Sequence, residues 1–139
     1  MKRFCVIDGQ GGGIGAAIIK KVREFLADDV DITALGTNAI ATAQMLKARA
    51  NRGASGENAI IRTVADDMDA IIGPLGIVMA HALMGEVTPA MAEAIGGCRA
   101  RKILIPLSQE NVAIVGLEQE PLPHLLEKLI ATHWQPLIG

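Results

Sequence analysis

Five glycines stand within seven residues of the segment VIDGQGGGIG, between an apolar run and a stretch with helical spacing. Fixing a glycine costs more backbone entropy than fixing any other residue. A cluster of them is therefore expected where the chain needs positive φ or lets another group come close to its backbone. The apolar run FCVID, residues 4–8, is continuous rather than alternating, as in a strand buried on both faces of a parallel sheet, and it predicts the central strand. From Ile14 the pattern turns helical: Ile14, Ile18, Val22, Phe25 and Leu26 share one face, with Lys20, Arg23 and Glu24 away from it. Strand, glycine loop and amphipathic helix follow in order.

The rest of the chain continues this alternation. VDITALG, residues 30–36, reads as a second strand, and Thr37 or Asn38 is placed to cap a helix running to about Arg49. In RANRGASGEN, Gly53 suits a left-handed helix end and Ser55 a cap for a helix starting near Glu57; Arg52, Gly53 and Ser55 also suit a second phosphate contact. DAIIGP predicts a third strand and KILIPL a fourth. Between them LGIVMAHAL reads as a helix, and Thr88-Pro89 opens another, since proline fits the first helical turn. Only SQEN separates KILIPL from VAIVG, too few residues for a parallel crossover, so a hairpin is expected. A final helix starts at Pro121 or Pro123, with Leu122, Leu125, Leu126, Leu129 and Ile130 inward. The 139 residues thus predict one domain, residues 1–139: a three-layer, Rossmann-like α/β sandwich, mostly parallel with an antiparallel edge strand.

In such a unit the loop N–H groups and the amino end of the following helix together attract an anion, most often phosphate. The dinucleotide fingerprint fails from Gly9, because Ile14 takes the place of its third glycine, but Gly11, Gly13 and Ala16 satisfy GxGxxG/A. Ligands of doubly wound sheets bind outside the carboxyl ends of the strands. The candidate binding residues are therefore Asp8, Gly9, Gln10, Gly11, Gly12, Gly13, Ile14 and Gly15 on the first loop, Gly36, Thr37 and Asn38 after the second strand, Gly73 and Pro74 after the third, and Ser108 after the fourth. Asp8 suits Mg²⁺ or a ribose hydroxyl on one reading and an Asx-turn on the other. Gln10 suits a polar ligand edge or solvent equally. Glu110 is a further carboxylate in this set of loops, which is rich in amides, hydroxyls and glycine, the composition of a binding site rather than of an acid/base centre.

VIDGQGGGIGAAI resembles the cofactor loop of short-chain dehydrogenases, with Gly9, Gly13 and Gly15 in GxxxGxG spacing, over about 20 residues. That resemblance implies NAD(P) or another nucleotide. Those enzymes work through a YxxxK pair, and this chain has no tyrosine, so their catalysis does not carry over. The carboxylate usual at the end of the second strand is also missing, where Gly36-Thr37-Asn38 stands instead. The whole chain, through its opening and its TNAIAT and RGASGEN segments, is similar to a family of short bacterial proteins known as a conserved domain of unknown function. A more distant likeness is to the nucleotide half of tubulin-like GTPases, whose GGGTGTG loop is absent here. No GK[ST] follows the glycines, which excludes a P-loop.

Composition narrows the partner. A net charge of −2, scattered basic residues and only two Phe, one Trp and no Tyr give neither the basic surface nor the stacking platform of a nucleic-acid binder. The longest uncharged stretch, residues 70–85, is broken by Gly73, Pro74 and Gly76 and is too short to span a bilayer. Cys5 and Cys98 form no CxxC pair and read as two buried, reduced thiols, which with the short amino-terminal apolar run predicts a cytoplasmic protein. Asp66, Asp67 and Asp69 read as a solvated turn, and His81, His124 and His133 lack zinc spacing, so no metal site is expected. The expected partner is a nucleotide or another phosphorylated small molecule, bound by a non-membrane protein. The rival is a regulatory or assembly module of the same fold without ligand turnover. A homodimer is expected because LGIVMAHALM, read as a helix, is apolar nearly all round.

Overall fold

The computed structural model describes residues 1–107 and 110–133. The chain runs β1 (Lys2–Asp8), α1 (Gly13–Leu26), β2 (Val30–Gly36), α2 (Ala39–Lys47), β3 (Arg52–Ser55), α3 (Glu57–Val64), β4 (Ala70–Pro74), α4 (Pro89–Gly97), β5 (Arg101–Ile105) and α5 (Leu122–Thr132). The five strands lie in the order β3-β2-β1-β4-β5, and every neighbouring pair is parallel. The order reverses between β1 and β4, so the loops after these two strands diverge and leave a crevice at the carboxyl ends.

The continuous apolar run of β1 supplies both faces of the sheet. Phe4 and Val6 enter one core with Ile18, Ile19 and Val22 of α1, Met45 of α2 and Leu129 of α5. Cys5 and Ile7 enter the other with Ile60 of α3 and Met91 and Ile95 of α4. Strand period 2 sorts the residues between two helical layers. Caps fall where short polar side chains allow: Asn38 Oδ1 accepts from Ala41 N at 2.8 Å, and Thr88 Oγ1 from Met91 N at 3.1 Å.

Several expectations are corrected. The antiparallel edge strand does not form: residues 112–116 are exposed and irregular, and β5 pairs with β4 alone among the described residues. Glu110 Oε1 accepts from Leu83 N at 2.7 Å, which ties the segment after β5 to the loop after β4. LGIVMAHAL is not a helix. After a 3-10 turn over Leu75–Val78 the backbone turns left-handed at His81, Leu83, Met84 and Gly85, while Ile77, Ala82 and Val87 drop into the core beneath α4. Part of its apolar character is thus used within the chain, Met84 stays 90% exposed, and the apolar-all-round helix expected to form a twofold contact is not present.

RGAS is an edge strand, β3, rather than a helix break: Gly53 pairs with Ala34, and the left-handed residue ending α2 is Arg49, with φ 85°. Four residues are too few to show an alternating pattern. Ser55 does not cap α3; its hydroxyl meets Thr42 Oγ1 at 2.6 Å, and Gly56 is the cap residue. On α1 the angular pattern misplaces two residues, with Phe25 exposed and Arg23 buried. Arg23 reaches back past the helix end to the Arg49, Ala27 and Val30 carbonyls and to Asn51 Oδ1, at 2.7–3.0 Å. Both cysteines are free, Cys5 buried and Cys98 only half-buried. No helix among the described residues is long and apolar enough to cross a membrane.

Candidate functional site

The glycine loop leaves β1 at Asp8, which is 4% exposed. Its carboxylate faces back into the loop, taking Gly9 N on Oδ1 at 2.8 Å and Gly15 N on Oδ2 at 2.7 Å. Burial pushes the Asp8 pKa up, against the lowering pull of these backbone donors, and the nearby Glu86 charge adds to the rise. Asp8 is therefore the internal anchor of the loop. Both oxygens accept from the chain, from the residue one on and the residue seven on, and neither bond is the two-residue contact of an Asx-turn.

Each glycine has its own reason. Gly12 is left-handed at φ 75°, and a Cβ there would lie 2.7 Å from Ala41 O. Gly15 lets α1 settle on Met45 and Asp8, whose atoms would lie 2.6 Å and 2.9 Å from an added Cβ. Gly9 sits under Thr37 Oγ1, Leu83 Cδ1 and Glu86 Oε1, at 2.5, 2.8 and 3.0 Å from the same imagined atom. Gly11 and Gly13 face open space, and their N–H groups meet no acceptor among the described residues. Two donors without a protein acceptor among the described residues thus lie at the amino end of a 14-residue helix, where the dipole favours negative charge.

Thr37 and Asn38, at the end of β2, come to this loop through a residue that sequence reasoning did not single out. Glu86 Oε1 accepts from Thr37 Oγ1 at 2.5 Å, from Asn38 Nδ2 at 2.8 Å and from Gln10 N at 2.8 Å. Burial works to raise the Glu86 pKa, but the three donors outweigh it and hold the carboxyl below its usual value. Asn38 Nδ2 also donates to Gln10 O at 3.0 Å. The available signal was Glu86 itself, the first charge after the uncharged stretch 70–85, hidden by reading the residues before it as a helix.

A cavity of about 470 Å³ opens beside the loop, lined by Gln10, Ile14, Pro74, His81, Leu83 and Glu110 among others. It lies over the carboxyl ends of β1 and β4. A second cavity of about 470 Å³ lies between β5 and α5, against Ile103, Ile105 and Leu129, and includes none of the glycine-loop residues. Of the predicted site residues, Gly9, Gln10, Thr37 and Asn38 gather around Glu86, while Gln10, Ile14 and Pro74 face the cavity. Gly36 and Gly73 do not join them: Gly36 is packed against Thr42 N and Asn38 O, and Gly73 against Ile77. Ser108 lies outside the described residues. Asp69 accepts from Arg3 N at 2.8 Å, at the opposite end of the sheet from the crevice. Among the described residues no group of three His, Cys, Asp or Glu side chains is placed to hold a metal ion.

The family model described as "Domain of unknown function (DUF3842)" matches residues 3–137. No curated protein matches the chain. Among solved structures it is similar to a crystal structure of a dodecameric FMN-dependent UbiX-like decarboxylase from Escherichia coli O157:H7, with 14% identity and a TM-score of 0.49, over 100% of this chain and 95% of that one.

Proposed function

We propose that this chain, which belongs to the DUF3842 family, binds a nucleotide through its glycine loop, with one phosphate on the Gly11 and Gly13 N–H groups and the rest of the ligand in the adjoining cavity. The observation that carries this reading is the pair of partnerless loop donors beside a cavity of about 470 Å³ at the strand-order reversal. That volume falls in the range of small-molecule sites, about 300–1,000 Å³. The walls are largely apolar with a few converging polar groups, Gln10, His81 and Glu110, which suits a flat ring system held at its edge.

A thermal-shift screen of the full chain against NAD, NADP, flavins, ATP, GTP, adenosine monophosphate and sugar phosphates tests the reading. A ligand at 100 times its dissociation constant stabilises by about 2.7 kcal/mol. Stabilisation by one nucleotide class, lost in a folded Gly13→Val variant, supports it. No shift with any of them removes it and leaves the assembly-module alternative.

A further inference from the structure

We infer that Glu86 is the ribose-binding acid of this site and makes it select a ribose with a free 2′-hydroxyl over one carrying a 2′-phosphate; this rests on the nucleotide reading above. In dinucleotide-binding sheets a carboxylate at the end of the second strand accepts from a ribose hydroxyl. Here that position reads Gly36-Thr37-Asn38 and supplies no acid. Glu86 reaches the same gap from the loop after β4. Its Oε1 bridges the end of β2, through Thr37 at 2.5 Å and Asn38 at 2.8 Å, to the glycine loop, through Gln10 N at 2.8 Å.

Three donors on one oxygen fix the carboxylate in place. The other oxygen, Oε2, accepts no hydrogen bond within the described residues and is left for a ligand hydroxyl. An acceptor that is already ionised and oriented needs no rearrangement to take an O–H. A phosphate at the same point meets a like charge, and the cavity beside it is lined by neither Lys nor Arg. Sites that take a 2′-phosphate place an arginine there. Gly9 completes the arrangement, since any side chain at that position would strike Thr37 Oγ1 and Glu86 Oε1.

Calorimetric titration of the full chain with adenosine 5′-monophosphate, its 2′-deoxy analogue and adenosine 2′,5′-bisphosphate is the test. The parent nucleotide should bind about tenfold or more tightly than either relative, because a fixed, ionised acceptor built for a hydroxyl penalises both its loss and its replacement by charge. Glu86→Gln keeps an oxygen for Thr37, Asn38 and Gln10, removes the charge, and should bring the bisphosphate to within about twofold of the monophosphate. Equal binding of all three by the wild type, or an unchanged ratio in a folded Glu86→Gln protein, overturns the role of Glu86 and leaves the nucleotide reading standing. Failure of every nucleotide to bind overturns that reading, and this inference with it.

Discussion

The Thr37 hydroxyl donates to Glu86 Oε1 across 2.5 Å and so ties the carboxyl end of β2 to a loop 49 residues further along the chain. This contact gives the loop after β4 a pH-dependent anchor. The folded-state pKa of Glu86 is lowered by its donors. The stability it contributes is therefore present above the ordinary carboxylate value and is lost as pH falls through the lowered one. Melting temperatures of wild type and Glu86→Gln should differ by a few degrees near neutrality, roughly 2–5 °C for about 1 kcal/mol. They should converge in acid, and a gap that widens there would contradict the assignment.

Gly12 and Gly13 are adjacent but should respond differently to the same change. Gly12→Ala places a Cβ on a left-handed residue, 2.7 Å from Ala41 O, and should cost about 1–3 kcal/mol in urea unfolding. Gly13→Ala enters open space at the start of α1 and should leave stability within about 0.5 kcal/mol while weakening nucleotide binding. Equal losses of stability at both positions would contradict the loop geometry.

Asp8→Asn keeps one acceptor oxygen and turns an amide toward the second N–H, so either the Gly9 or the Gly15 contact is lost. The folded pKa of Asp8 is raised. The stability linked to its proton is present below the unfolded value and is lost as pH rises through the folded one. The advantage of wild type over Asp8→Asn should thus be largest in acid and shrink as pH rises, measured by urea unfolding across a pH series.

Arg23 is 6% exposed and meets three carbonyls and one side-chain amide. Arg23→Met fills a similar volume but leaves those acceptors without a donor, and should cost about 3 kcal/mol or more in denaturant unfolding. Arg23→Lys should recover little of this, because a single ammonium cannot fork to the same set of oxygens.

Thiol labelling separates the two cysteines. Burial pushes the Cys5 thiol far above its usual pKa, with the neighbouring Cys98 adding to the rise, whereas Cys98 is half-buried. The native protein should take up one equivalent of a thiol reagent at Cys98, and a second only on denaturation.

Legibility in the sequence follows the range of the interactions. β1, β2, α1 and α5 were readable because their apolar spacing is set by one sheet face or one helix stripe, and VDITALG matches β2 residue for residue. The glycine loop was readable because positive φ and close packing leave glycine as the sole solution at Gly12 and Gly15. Three things were hidden: the four-residue edge strand β3, the core-filling loop after β4, and Glu86. Each depends on partners distant in sequence. Residues 75–88 show an apolar pattern, but the reason is that Ile77, Ala82 and Val87 plug a core from irregular backbone, where no periodicity applies.

The missing hairpin bears on solubility. Among the described residues β5 ends the sheet on one side and β3 on the other, and an open edge is a template for pairing with another chain. Both edges are short, four residues in β3 and five in β5, and each begins with an exposed arginine, Arg52 or Arg101. A foreign strand laid along either edge would have to desolvate that guanidinium to add only a few backbone hydrogen bonds. At both edges it is charge, rather than a further strand among the described residues, that stands against such pairing.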